Sequence, residues 1–238
     1  MASGQEQEKK LRIKCLNSFY LKIIAVITMT IDHIGAVLLP QYLILRVIGR
    51  VAFPVYCFLL VNGFLHTSNL KKYIGRLAIF ALISEVFFDK VFFGKYIWLE
   101  AQNVFFTLLI GIIMLAGIEW IRCNQYKNAG LRVIAGVLEA ILVVMACVTA
   151  YFLCTDYSFF GIMMMYGFYA LRYNKIMLGF FQTFVNVGLI GGVQEFACIA
   201  LIPIYLYNGE KGNTDYKWWF YIYYPLHLLV IGIIKATI

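Results

Sequence analysis

An imidazole can take a proton and give it back near neutral pH, and two of this chain's histidines lie deep inside apolar runs. His33 follows Asp32 in the run Phe19–Leu39, and His227 lies in the run Trp218–Ile238. His33 stands eleven residues beyond Lys22, and His227 ten beyond Lys217. At helical rise both rings are then roughly 15–16 Å in from the basic end of their segment. Two imidazoles at one depth are candidates for a shared site. An ionisable group in a bilayer costs several kcal/mol unless it is paired or wet, so each one is a functional candidate by default. Asp32 projects about 100° round the helix from His33, which suits it to orient a neighbouring group or an amine rather than to bond the same ring. The Asp-His pattern fits either proton transfer in catalysis or ion conduction.

The remaining ionisable residues fall into groups. Glu85 and Asp89 are spaced i, i+4, as are Arg46 and Arg50, and each pair lies on one helical face. At similar expected depth they either neutralise one another across helices or line an outer vestibule that binds an acceptor. Lys71, Lys72 and Arg76 cluster where an apolar run begins, with Lys72 and Arg76 one turn apart. A guanidinium fork beside an ammonium suits phosphate oxygens, and a basic cluster at a span boundary also serves as a topology signal. Glu139 and Glu195 read as structural hydrogen-bonding or interfacial groups, and His66 as an interfacial residue. The six cysteines contain no C-x-x-C pair and read as small core residues. No metal is expected. Gly188-x-x-x-Gly192 reads as a close-packing motif between helices.

The elements that would carry these residues follow from composition. Of 238 residues, 63% are hydrophobic and 13% charged, and the mean hydropathy is +0.82. A soluble chain is nearer 45–50% apolar and about 25% charged, and a globule of this length has too little interior for so much apolar surface. An ordinary soluble enzyme is excluded. Nine apolar runs are expected as helices: Phe19–Leu39, Tyr42–Leu65, Ile74–Phe93, Val104–Ile121, Val133–Leu153, Phe159–Leu171, Ile176–Ile190, Gln194–Tyr207 and Trp218–Ile238. Backbone groups in lipid must be satisfied within their own segment, so the expected fold class is all-α: a polytopic transmembrane helical bundle of about nine spans, with eight to ten allowed. Residues 1–18 form a basic cytoplasmic tail and 19–238 a single transmembrane helical domain whose first helix is retained.

The net charge of +8 is scattered between the runs and builds no basic face for nucleic acid; membrane lipid is the expected partner. With the N-terminus inside, fifteen Lys and Arg lie on the inner side (Lys9, Lys10, Arg12, Lys14, Lys22, Lys71, Lys72, Arg76, Arg122, Lys127, Arg132, Arg172, Lys175, Lys211 and Lys217) against five outside. That positive-inside bias predicts a multi-pass protein of the cytoplasmic membrane with its N-terminus cytoplasmic and its C-terminus outside.

The stretches LKIIAVITMTIDHIGAVLLP, LRVIGRVAFPVYCFLLVNGFLHT, RLAIFALISEVFFD, QNVFFTLLIG, LYNGEKG and YIYYPLHLL resemble, in order and wording, the TraX family of conjugal-transfer pilin acetylases. The resemblance runs from about Leu21 to Leu229. TraX proteins are in turn similar to the wider transmembrane acyltransferases. That group carries an Arg, ten intervening residues and a His in its first span, matched here by Lys22 and His33. Its F-F-x-L-S-G-F-L segment is loosely matched by Phe58–Leu65, with Leu59, Val61 and Asn62 departing, and its Arg-x-x-x-Arg pair by Lys72 and Arg76. The resemblance implies acetyl transfer from cytosolic acetyl-CoA, the donor substrate, to an acceptor in or across the membrane. His33 would be the general base, Asp32 and His227 its companions, and Lys22, Lys71, Lys72 and Arg76 the phosphate holders. Arg46, Arg50, Glu85, Asp89 and Asn62 are placed on the acceptor side. The acceptor it suggests is the terminal amine of a small pilin-like membrane peptide, with a glycan or lipid hydroxyl as the alternative. Two other readings stand beside it: a proton-coupled transporter, and a non-enzymatic assembly factor for a pilus or secretion apparatus.

Overall fold

The computed structural model describes residues 15–125, 129–213 and 215–238. Lys9, Lys10, Arg12, Lys14 and Lys127, with most of the expected tail at 1–18, lie outside the described residues, as does the side chain of Lys217. The described chain is helical, with isolated bridge pairs joining Leu16 to Tyr207 and Gln102 to Thr155. The helices are α1 (Ser18–Val37), α2 (Leu43–Gly49), α3 (Ala52–His66), α4 (Leu70–Phe93), α5 (Val104–Gln125), α6 (Ala129–Phe152), α7 (Ser158–Ala170), α8 (Lys175–Thr183), α9 (Leu201–Tyr205) and α10 (Lys217–Thr237). Between α8 and α9 run a π-helical turn, Phe184–Ile190, and a 3-10 stretch, Gly192–Ala200.

Each apolar run expected from the sequence is helical, but the run-to-span equation needs correction. Five helical stretches are long and apolar enough to cross a membrane: Ser18–Val37, Leu43–His66, Val104–Cys123, Gly130–Phe152 and Trp218–Thr237. Ser158–Ala170, Lys175–Ile190 and Gly192–Tyr205 are shorter apolar helices. About 20 residues are needed to span, so nine full crossings are not established. The α4 helix has the length but carries Lys71, Lys72, Arg76, Glu85, Asp89 and Lys90. By its contacts the chain divides into two compact units, Met1–Leu59 with Lys175–Ile238, and Leu60–Asn174.

In the first unit, α1 starts where the Asn17 side chain accepts the Tyr20 N–H at 3.1 Å, satisfying one of the orphan donors of a helix start. Small residues let α1 and α2 approach. A Cβ on Gly35 would come within 2.6 Å of Leu45 Cβ, and one on Gly49 would overlap the Asp32 side chain. Gly188 and Gly192, expected to pack helices, instead flank a change of helix type. Gly191 has φ 72 and Gly192 φ 60, left-handed values at which a side chain is strained. The Gly191 N–H closes the π turn on the Asn186 carbonyl at 3.0 Å.

In the second unit, Asn69 caps α4 by accepting the Lys72 N–H at 2.9 Å, and Gly94 ends it at φ 72 as a left-handed cap. Gly111 lies against Met165, and a Cβ on Gly117 would meet Leu142 at 2.6 Å. Ile112, Leu115, Ile118, Ile162, Met164 and Met165 form the buried core. By contrast α6 exposes Val133, Ile134, Val137, Ile141, Val144 and Val148, an apolar face of the extent that marks contact with lipid or a partner. Among the six cysteines only Cys57 is buried, and Cys15, Cys123 and Cys154 are exposed. The reading of all six as core residues is corrected, because Cys15 precedes α1, Cys123 lies in the last turn of α5 and Cys154 in the turn after α6, positions at the ends of helices that the core does not cover.

Candidate functional site

The two deep histidines meet. His33 Nδ1 lies 2.7 Å from His227 Nε2, with ring centroids 5.0 Å apart and planes within 11°. His227 Nδ1 is 3.0 Å from the Tyr223 carbonyl one turn earlier in α10. A carbonyl can only accept, so His227 carries its proton on Nδ1 and offers a lone pair at Nε2. With both rings neutral, His33 must donate from Nδ1, and its lone pair is fixed at Nε2. The backbone of α10 thereby sets the tautomer of a ring on α1.

Tyr223 supports this arrangement in three ways. Its carbonyl holds Nδ1 of His227, its ring stacks on the imidazole at 5.3 Å and 9°, and its hydroxyl lies 2.8 Å from Thr30 Oγ1. Thr30 donates its own proton to the Val26 carbonyl at 2.8 Å, so Tyr223 donates to Thr30 and ties α10 to α1. Pro225 between Tyr223 and His227 leaves one intrahelical hydrogen bond unmade. Tyr224 packs edge-on against both histidines, with centroids at 6.1 and 5.4 Å.

Asp32 turns to the other side of α1, as the helical angle requires. Arg46 Nη1 donates to its carboxylate at 2.8 Å and to its main-chain oxygen at 3.1 Å, and Arg50 Nη2 donates to the second carboxylate oxygen. Asp32 thereby ties two guanidiniums to the turn that carries His33. The structure pairs both arginines with Asp32. The pairing with Glu85 and Asp89 considered from the sequence gives way to this one, since the close approach of α1 and α2 at Gly49 brings the Asp32 carboxylate of the neighbouring helix within reach of both guanidiniums. From Arg50 a polar chain continues through Gln194 (3.5 Å), on to Asn186 (3.0 Å) and to the Gln182 carbonyl (2.8 Å). These uncharged polar groups were missed from the sequence, where only ionisable residues were surveyed; Gln182, Asn186 and Gln194 within apolar runs were the available signal.

In the second unit, Glu85 accepts from the Asn103 main-chain N–H at 3.0 Å and from its side-chain amide, while Asp89 accepts from the Trp98 N–H at 2.6 Å. The two carboxylates hold the loop between α4 and α5. Lys71 and Lys72 are exposed and Arg76 is half-buried, its guanidinium 5.6 Å from the Tyr73 ring centre. Lys22 belongs to the first unit, with its ammonium 5.3 Å from the Phe220 ring centre, a cation–π approach. The Asn62 carbonyl faces Nδ1 of His66 at 2.8 Å at the end of α3. Glu139 is held by Arg122 through two bonds of 2.7 and 3.0 Å, the structural role expected of it, and Glu195 accepts from the Gly192 N–H at 3.2 Å. Among the described residues no group of three or more His, Cys, Asp or Glu is arranged to hold a metal ion.

A probable fimbrial assembly protein, FimC of serogroup H1 from Dichelobacter nodosus, is 27% identical to this chain over 243 residues, covering 90% of the chain and 94% of that protein. An uncharacterized protein, RP591 of Rickettsia prowazekii, is 34% identical over 91 residues, covering 38% of the chain and 33% of that protein. No solved structure matches. The TraX protein family matches residues 18–235, a range that takes in His33 and His227, and the protein belongs to the TraX family.

Proposed function

We propose that this protein is a multi-pass membrane acetyltransferase that moves the acetyl group of acetyl-CoA to an acceptor amine, with Nε2 of His33 as the general base. The observation that carries this reading is the relay from the Tyr223 carbonyl through His227 to His33, which presents the Nε2 lone pair in a fixed direction. In the step proposed, Nε2 takes the proton from the acceptor N–H as its nitrogen attacks the thioester carbonyl carbon. The carbon–sulfur bond breaks, and the departing thiolate takes the same proton back from Nε2. One acetyl-CoA and one amine become one amide and one CoA thiol. His227 steadies the transient imidazolium by accepting from Nδ1, the part an orienting acid plays in other base dyads.

The donor's phosphates are assigned to Lys71, Lys72 and Arg76 at the start of α4, where helix polarity and positive side chains act together; Lys22, on α1 of the other unit, keeps only the role that the family resemblance implies for it. This places that face in the cytoplasm and the C-terminus outside for an odd number of crossings. The acceptor in this proposal is the N-terminus of a small pilin-like membrane peptide. The printed name of the Dichelobacter relative concerns fimbrial assembly, which supports a pilus-related acceptor and also favours a second reading, in which the chain assists assembly without catalysis. Proton relay through Asp32 is the less favoured reading, because that carboxylate is held by two arginines.

Calorimetry of acetyl-CoA with the detergent-purified protein tests the donor assignment. Binding that weakens at least tenfold in Lys72→Ala/Arg76→Ala supports it; absence of binding at millimolar donor would favour the assembly reading.

A further inference from the structure

We infer that Arg46 forms an anion subsite, so that the acceptor carries a phosphate or carboxylate group besides the amine or hydroxyl that it presents. Asp32 supplies one negative charge to two guanidiniums, so this carboxylate alone cannot neutralise both. Arg46 spends a single nitrogen, Nη1, on Asp32, bonding both its carboxylate and its main-chain oxygen. Among the described residues its Nε and Nη2 hold no hydrogen-bond partner, and its side chain is 32% exposed against 15% for Arg50. An anchored guanidinium with an open edge is the geometry that takes a phosphate or carboxylate through two parallel bonds.

The surroundings point the same way. No acid occurs between His33 and Ser84, and Glu195, in the segment next to Gln194, is occupied by the Gly192 N–H. The helix that carries Arg46 exposes Leu43, Ile44 and Ile48, with Tyr42 just ahead of it. The short helix that carries the open guanidinium edge is thus apolar where it is exposed, which favours an amphiphile with an anionic head. Because Arg46 grips the main chain of the residue before His33, an anion bound there is tied to the turn that bears the proposed base. The inference rests on the acyltransfer reading for its functional meaning, but its binding test does not.

The test uses the full chain in neutral maltoside detergent and measures binding of N-dodecanoylglycine, its neutral amide and dodecyl phosphate by thermophoresis. The expected result is at least tenfold tighter binding of both anions than of the amide, a preference lost in Arg46→Gln and partly kept in Arg46→Lys. Thermal stability of each variant separates loss of the subsite from loss of the fold, since Arg50 still pairs with Asp32. Equal affinity for anion and amide in the wild type, or an unchanged preference in a folded Arg46→Gln protein, overturns the inference. Competition by phosphatidic acid in phosphatidylcholine nanodiscs, without competition by inorganic phosphate, assigns the anion to a lipid head; competition by both assigns it to a free anion. If the anion preference holds while acetyl-CoA fails to bind, the subsite stands and the acyltransfer reading falls.

Discussion

At the residue scale, chemistry depends on which nitrogen of His33 holds a proton, and that is decided by a main-chain carbonyl two contacts away. His33→Ala should lower acetyl transfer by about 10²–10⁴-fold, the usual worth of a positioned base, with acetyl-CoA affinity within twofold of wild type in calorimetry. His227→Phe keeps the ring stack but removes the acceptor for His33 Nδ1; transfer should fall less than in His33→Ala while donor affinity is again unchanged. A donor-affinity loss in either variant would mean that the histidines bind rather than react. The histidines and their common depth were legible from spacing alone, because helical rise converts residue number into depth. Their contact was not, since it depends on the Tyr223–Thr30 tie between helices far apart in sequence. The partners of Asp32 were equally hidden: an i, i+4 arginine pair announces a face, and only packing says which carboxylate it meets.

At the element scale, the close approach of α1 and α2 rests on glycine, and the helix change near residue 190 rests on left-handed backbone. Gly49→Ala drives a methyl into the Asp32 side chain and should cost about 1–3 kcal/mol, read as a lower denaturation midpoint in detergent. Gly191→Ala forces a side chain onto a backbone with φ 72 and ψ −171 and should cost a similar amount, about 1–3 kcal/mol, with Gly192, also at positive φ, less able to compensate. An unchanged midpoint in both would remove the packing account of this unit. Element existence was legible because apolar runs broken by charges define helices in lipid. What the runs did not give was helix type around Gly191; the break at Arg50–Val51 inside the run Tyr42–Leu65 did have a signal, Pro54, whose missing N–H and ring exclude the Arg50 carbonyl from a continuous α-helix, and reading the run by hydropathy alone passed over it.

At the scale of the whole molecule, apolar composition and long helices mark a membrane protein, and the family match spans nearly the full described chain. Three apolar helices are shorter than a bilayer requires, which separates a count of helices from a count of crossings. Asp32→Ala leaves two guanidiniums without their shared carboxylate in a low-dielectric surround and should destabilise the protein by about 3–5 kcal/mol, enough to lower its yield in the membrane fraction. Full yield with a wild-type midpoint would contradict the buried ion-pair cluster as an organising feature of the first unit.

The central claim is acyl transfer driven by His33. Everted membrane vesicles from cells producing the wild type, His33→Ala, or neither are incubated with radiolabelled acetyl-CoA, and label entering acid-insoluble membrane material is counted. The account predicts incorporation with the wild type and background counts with His33→Ala at equal protein level. Equal label from both, or none above the vesicles lacking the protein, would contradict it.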